Sequence, residues 1–215
     1  MRELFEAHAL EVAPRLLGAH LTVLSPDGAV TLRITEVEAY HGVGTPGPYD
    51  AGSHARARRT DRNAAMFGPP GRSYVYFTYG MHHALNAVCS PEGIASGVLI
   101  RAGEIVAGNE IALARRLAKR PRGGSLVTPL PHQQLARGPG NVAAALGLTL
   151  EFGGLSLFAE PFALTPGEAP ARSILTGPRV GVAGAAGGPQ FPWRFWLEDE
   201  PSVSAFRPGR GAPRP

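Results

Sequence analysis

Cysteine, lysine and long apolar runs are all but missing from this chain, and each shortage excludes something. Cys89 is the only cysteine in 215 residues, so no internal disulfide and no cysteine-based metal cluster can form. A reducing, cytoplasmic location is expected, nucleoid-associated if the source is bacterial. Lys119 is the only lysine, which leaves one side-chain candidate for amine nucleophile chemistry. No apolar stretch reaches the ~20 residues of a membrane-spanning helix. The first ten residues carry Glu3 and Glu6 where a secretory signal would be apolar, so no membrane partner is expected. His54, His82 and His83 come without an HExxH pattern or cysteine partners; no metal and no cofactor is expected.

What the chain has in quantity is glycine and proline, 28 and 21 residues. They point to many turns and short elements rather than a helical bundle. The net charge is +4, and all basic residues but one are arginine. Guanidinium forks match phosphates, so the balance suits a nucleic-acid partner, although a GC-rich genome also favours arginine. Residues 3–17 read as a helix that Pro14 splits. Residues 21–24 and 30–40 read as strands joined by the Pro26-Asp27-Gly28 turn. An arginine-rich stretch, 54–63, follows a Gly/Pro-rich loop. Residues 73–78 and 84–89 form a hairpin, 97–102 a strand, and 109–119 an amphipathic helix leading into a basic loop, 120–125. A short helix follows Gly138-Pro139-Gly140, then short strands and turns that include 179–182 and 193–197. The expected fold is α+β: a single mixed domain over 1–206 with a curved antiparallel β-sheet, surrounding helices and a protruding β-hairpin. Residues 207–215, rich in Pro, Gly and Arg, read as a disordered tail.

Local rules break in the strand after Leu32. Alternate residues share a strand face, so Leu32, Ile34, Glu36, Glu38 and Tyr40 fall on one row. A row that begins apolar and then acquires two carboxylates and a phenol is costly unless these are paired, and functional sites are where such costs are met. A carboxylate here either serves as a general base or partners an arginine. Arg101, after the apolar run Val98-Leu99-Ile100, is the arginine that needs such a partner, Glu36 or Glu38. In the hairpin, Tyr74, Tyr76 and Thr78 share a face, as core aromatics or as a binding surface. Tyr79 sits where the hairpin turns, a place from which aromatic wedges unstack bases.

The quoted residues then fall into a known order. Glu36-Val37-Glu38-Ala39-Tyr40, Thr60-Asp61-Arg62-Asn63 before Met66-Phe67-Gly68, and Tyr74-Val75-Tyr76 with Tyr79-Gly80-Met81 come first. Val98-Leu99-Ile100-Arg101-Ala102, Gly138-Pro139-Gly140, Pro178-Arg179-Val180-Gly181-Val182 and Pro192-Trp193-Arg194-Phe195 follow. From about residue 13 to residue 204 the chain resembles the alkyladenine (3-methyladenine) DNA glycosylases of the mammalian type. The resemblance implies a monomeric base-excision repair enzyme acting on double-stranded DNA that contains damaged purines. It implies Glu38 as the catalytic acid group, with Arg101 helping to hold the water. It implies a base pocket of Tyr40, His54 and Tyr76, Asn86 as the gate against normal guanine, and a backbone carbonyl near Val182 at the water site. Tyr79 would fill the gap left by the flipped nucleotide, with Met81, Arg59 and Arg62 also against DNA. His82-His83 departs from the aromatic residues the family carries there.

An enzyme of this kind extrudes its base before acting on it. A cationic alkylated purine is already a good leaving group, so a carboxylate that activates water suffices, and no lyase step is expected. Two other readings remain: a non-catalytic nucleic-acid binder and an enzyme of free nucleosides. The first leaves the two in-register glutamates beside Arg101 without a use; the second leaves the tyrosine wedge and the arginine run without one.

Overall fold

The computed structural model describes residues 1–78, 80–119, 130–167 and 172–214. The strands among them are β1 (His20–Ser25), β2 (Gly28–His41), β3 (Ser73–Thr78), β4 (His82–Val88), β5 (Ser96–Ala107), β6 (Ala136–Arg137), β7 (Phe162–Thr165), β8 (Ile174–Gly177) and β9 (Arg194–Leu197). The helices are α1 (Ala9–Arg15), α2 (Asn109–Ala118) and α3 (Pro139–Leu146). All strand pairs are antiparallel, in the order β3-β4-β5-β2-β1-β7, with β6 on β5 and with β9, which also pairs β8, on β2. This is the expected α+β architecture. None of the described helices is long and apolar enough to cross a membrane.

The N-terminal helix breaks earlier than Pro14. Residues 2–6 form a 3-10 turn, Ala7 is extended, and the chain restarts as α1 with the His8 Nδ1 accepting the Leu10 N–H at 3.1 Å. A side-chain cap makes that new start favourable, and Pro14 is accommodated in the last turn. Residues 179–182 form a turn rather than a strand, with Gly181 at φ +73°. The basic loop 120–125 and Tyr79 lie outside the described residues.

One face of the sheet closes the main core. Val75, Leu85, Ala87, Val98, Ile100, Val37 and Ala39 pack there with residues of α1 and α3. On β2 this face changes parity: Val30, Leu32 and Ile34 belong to the same core as Val37 and Ala39. Unbroken alternation cannot do that. The register supplies the reason, an extra residue at Thr35 on β2 and another at Arg101 on β5. These bulges correct the sequence reading: Glu36, Glu38 and Tyr40 do not continue the core row of Leu32 and Ile34 but project from the opposite face. There they align across neighbouring strands, where Tyr74 pairs with Asn86, Asn86 with Leu99, and Leu99 with Glu38. The hairpin β3–β4 carries exposed apolar groups near its end, Phe77 at 45% and Met81 at 66%.

Candidate active site

On that second face lies a cavity of about 400 Å³, lined by residues that include Glu38, Tyr40, His54, Tyr76, Asn86 and Arg101. Glu38 is fully buried, yet each of its carboxylate oxygens has a defined donor. The Tyr40 hydroxyl donates to Oε2 at 2.7 Å and the Val180 backbone N–H to Oε1 at 2.7 Å. The Arg101 Nη1 stands 3.4 Å from Oε1. Burial, with the neighbouring carboxylate of Glu38, pushes the Tyr40 phenol well above its ordinary value, so it stays a hydrogen-bond donor at neutral pH. Burial pulls the Arg101 guanidinium down, but Glu38 and Glu36 more than compensate and hold it above its ordinary value.

Glu36 has a different surrounding. Its Oε1 accepts from Arg101 Nε at 2.9 Å, Arg194 Nε at 2.6 Å and the Ser204 hydroxyl at 2.9 Å, and its Oε2 accepts the Ser204 N–H at 2.8 Å. Arg101 thus meets both candidate partners, from the same face of β5 as Leu99.

A second buried ion pair stands behind the cavity. Arg179 is fully buried and meets Asp50 through both terminal nitrogens, at 2.8 and 2.6 Å. It also donates to the carbonyls of Ala39 and Ala186, and its guanidinium stacks 4.4 Å from the Tyr40 ring centre. One side chain therefore ties the loop before His54, the strand bearing Glu38 and the turn bearing Val180. Sequence reasoning missed this pair. Asp50 precedes Gly52, whose N–H it accepts at 2.9 Å, so its local signature is that of a turn residue, and nothing local announces a partner 129 residues away. Val180 was equally hidden, because it acts through its backbone.

The aromatic wall comes from β3 and the loop before it. His54 meets Tyr76 edge to face, ring centres 4.6 Å apart, and its Nδ1 lies 3.1 Å from the Tyr74 hydroxyl. Burial, then the charges of Arg62 and Arg56, hold the His54 imidazole below its ordinary value; burial pushes the Tyr74 phenol up to about 12. Asn86 donates to the Tyr74 carbonyl at 3.1 Å, which fixes its amide in the wall. Val182 lines the cavity, while its carbonyl oxygen packs against Gly187 and Gly209: a Cβ at either would come within 1.9 and 2.0 Å of it.

Met81, Arg59 and Arg62 are exposed and are not among the lining residues; Arg59 lies 5.9 Å from the Phe67 ring centre. Lys119 ends α2 and does not line the cavity either. No group of three or more His, Cys, Asp or Glu among the described residues is placed to hold a metal ion.

Comparison with known proteins gives a consistent result. Residues 3–201 match the family model described as methylpurine-DNA glycosylase. A relative from Leifsonia xyli subsp. xyli is 54% identical over 207 residues, 96% of this chain and 92% of its own. Others from Streptomyces avermitilis (47% identical, 96% of this chain and 91% of theirs) and Mycobacterium leprae (44%, 94% and 87%) are similar along most of their length. All of these relatives carry 3-methyladenine DNA glycosylase as a provisional designation.

Proposed function

The chain belongs to the methylpurine-DNA glycosylase family, and from that premise we propose how its residues would do the family's work. It is a DNA-repair glycosylase of the 3-methyladenine type. In our reading it extrudes an alkylated or deaminated purine from the duplex and hydrolyses the N-glycosidic bond with water, leaving an abasic site and an uncut strand.

The observation that carries this reading is the geometry of Glu38. Its carboxylate is held at both oxygens and lines a cavity walled by phenols. Such a group can take a proton from water and oppose the positive charge that grows on the sugar as the bond breaks. Arg101, 3.4 Å from the same carboxylate, helps to hold the water. Tyr40 presents one ring face to an extruded base, since Arg179 covers the other. With Tyr76 it provides stacking, plus a cation–π attraction of ~0.5–2 kcal/mol for a charged purine. His54 and Asn86 read the edges of the base. Asn86, fixed on the Tyr74 carbonyl, is the gate against normal guanine.

Flipping costs a few kcal/mol and is cheapest for weakly paired, damaged bases. Met81, exposed near the hairpin end, and Tyr79, which the resemblance marks as the wedge, fill the vacated space. Arg59 and Arg62 meet the phosphates. The acting unit is a monomer on double-stranded DNA, and no cofactor or metal takes part. Lyase chemistry needs an amine, and Lys119 is not among the cavity residues, which supports a hydrolase that never bonds covalently to DNA.

Incubation of the protein with duplex containing 3-methyladenine or hypoxanthine tests the activity: free base should appear with the strand unbroken. Reduction with borohydride during turnover should trap no protein–DNA adduct. Absence of released base from either duplex would end the proposal, and a trapped adduct would end its monofunctional part.

A further inference from the structure

Residues 207–214, read from the sequence as part of a disordered tail, lie against the cavity's outer wall. The Gly181 N–H donates to the Arg207 carbonyl at 2.9 Å and the Gly184 N–H to the Arg210 carbonyl at 3.0 Å. The Ala212 N–H donates to the Gly209 carbonyl at 3.1 Å, which closes a turn. The contact admits no side chain at its centre. A Cβ on Gly209 would lie 2.0 Å from the Val182 oxygen, and one on Gly188 3.0 Å from the Pro213 ring. The loop so backed is the one that supplies Val180, Gly181, Val182 and Ala183 to the cavity and the Val180 amide to Glu38.

This fixed segment carries three arginines, Arg207, Arg210 and Arg214, and no acidic residue. All three are exposed, and no side-chain hydrogen bond or ion pair holds them to any described residue. The molecule employs other arginines internally, Arg33, Arg101, Arg115, Arg179 and Arg194 among them, each against a carboxylate. Exposed guanidinium groups on one short segment are available to the oxygens of phosphates. Because the backbone carbonyls make the contacts to the loop, the guanidinium groups remain free to reach outward.

We propose that residues 207–214 form a phosphate-binding rim of the site, with Arg207, Arg210 and Arg214 gripping the DNA backbone beside the extruded nucleotide. The rim lies beyond the matched residues 3–201. The proposal rests on the glycosylase reading, in that it takes DNA as the polyanion.

The test compares duplex binding by Glu38→Gln protein, which should not turn over, with the same protein carrying Arg207→Ala, Arg210→Ala and Arg214→Ala. Fluorescence anisotropy with a hypoxanthine duplex is followed from 50 to 200 mM salt. Each lost phosphate contact should reduce the slope of log affinity on log salt by ~0.9, so that three together flatten the fall across this range by roughly fortyfold. Lysine at all three positions should restore most of the slope. Unchanged affinity and slope in the alanine variant, with the parent binding normally, would overturn the rim and leave the glycosylase reading standing. Loss of binding accompanied by a lowered thermal midpoint, and not rescued by lysine, would also overturn it, because the side chains would then be structural. Failure of the parent to bind the duplex, with no base released by the unsubstituted protein, would sink the glycosylase reading itself.

Discussion

Glu36 and Glu38 stand two residues apart on one strand, both fully buried, and their surroundings differ. Glu36 is enclosed by two guanidinium groups and a serine that gives both its hydroxyl and its N–H. Glu38 has a phenol and one backbone amide as close donors, a more distant Arg101, and a place on the cavity surface. A carboxylate held by four donors, two of them guanidinium groups, holds structure together. One that is oriented by fewer close donors and opens on a cavity can still accept a proton. Arg101 touches both, so the carboxylate with more donors holds in place the guanidinium that also reaches Glu38.

The largest expected effect is on the Glu38 side. Glu38→Gln should lower single-turnover base release by ~10²–10⁴-fold while duplex affinity stays within a few-fold; substantial turnover would strip Glu38 of its role. Next comes Glu36→Ala, which leaves Arg101 and Arg194 buried without their carboxylate. Breaking a buried pair costs ~3–5 kcal/mol, so the thermal midpoint should fall by roughly 10 °C for a chain of this size. If calorimetry finds the midpoint unmoved, the contrast between the two carboxylates is lost.

Tyr40→Phe removes one donor from Glu38 and none from Glu36. About tenfold slower base release, equivalent to ~1.4 kcal/mol, is expected with little change in the melt. The smallest effect concerns His54, a titrating group of the cavity. Its folded-state pKa is lowered from 6.5, so its contribution to stability is present above that value and is lost as pH falls through the folded-state midpoint. Arg62→Ala should raise that midpoint in an NMR titration, since one of the charges that lowers it is gone; a downward move would contradict the assigned cause.

Much of the fold was legible because its elements are announced locally. The Pro26-Asp27-Gly28 turn, the tyrosine hairpin and the helix at 109 need no distant information. The grouping of Glu38, Tyr40 and Arg101 was also visible, since a buried arginine and in-register carboxylates call for each other. The direction in which they point was not. Alternation carries no mark of an inserted residue, and Thr35 and Arg101 look like ordinary strand residues until their pairing is known. The Asp50–Arg179 pair and the Val180 amide were invisible for another reason, because their meaning lies in contacts more than 120 residues apart.

The extra residue at Thr35 has a consequence for how this strand can change. Deleting that single position would restore strict alternation and exchange the destinations of everything after it. Two carboxylates and a phenol would be driven into hydrocarbon, and Val37 and Ala39 would be handed to the cavity. Substitutions along β2 can be graded and local, whereas a change in its length by one is all or nothing. The chain's count of residues is thus as much a part of its chemistry as their identity.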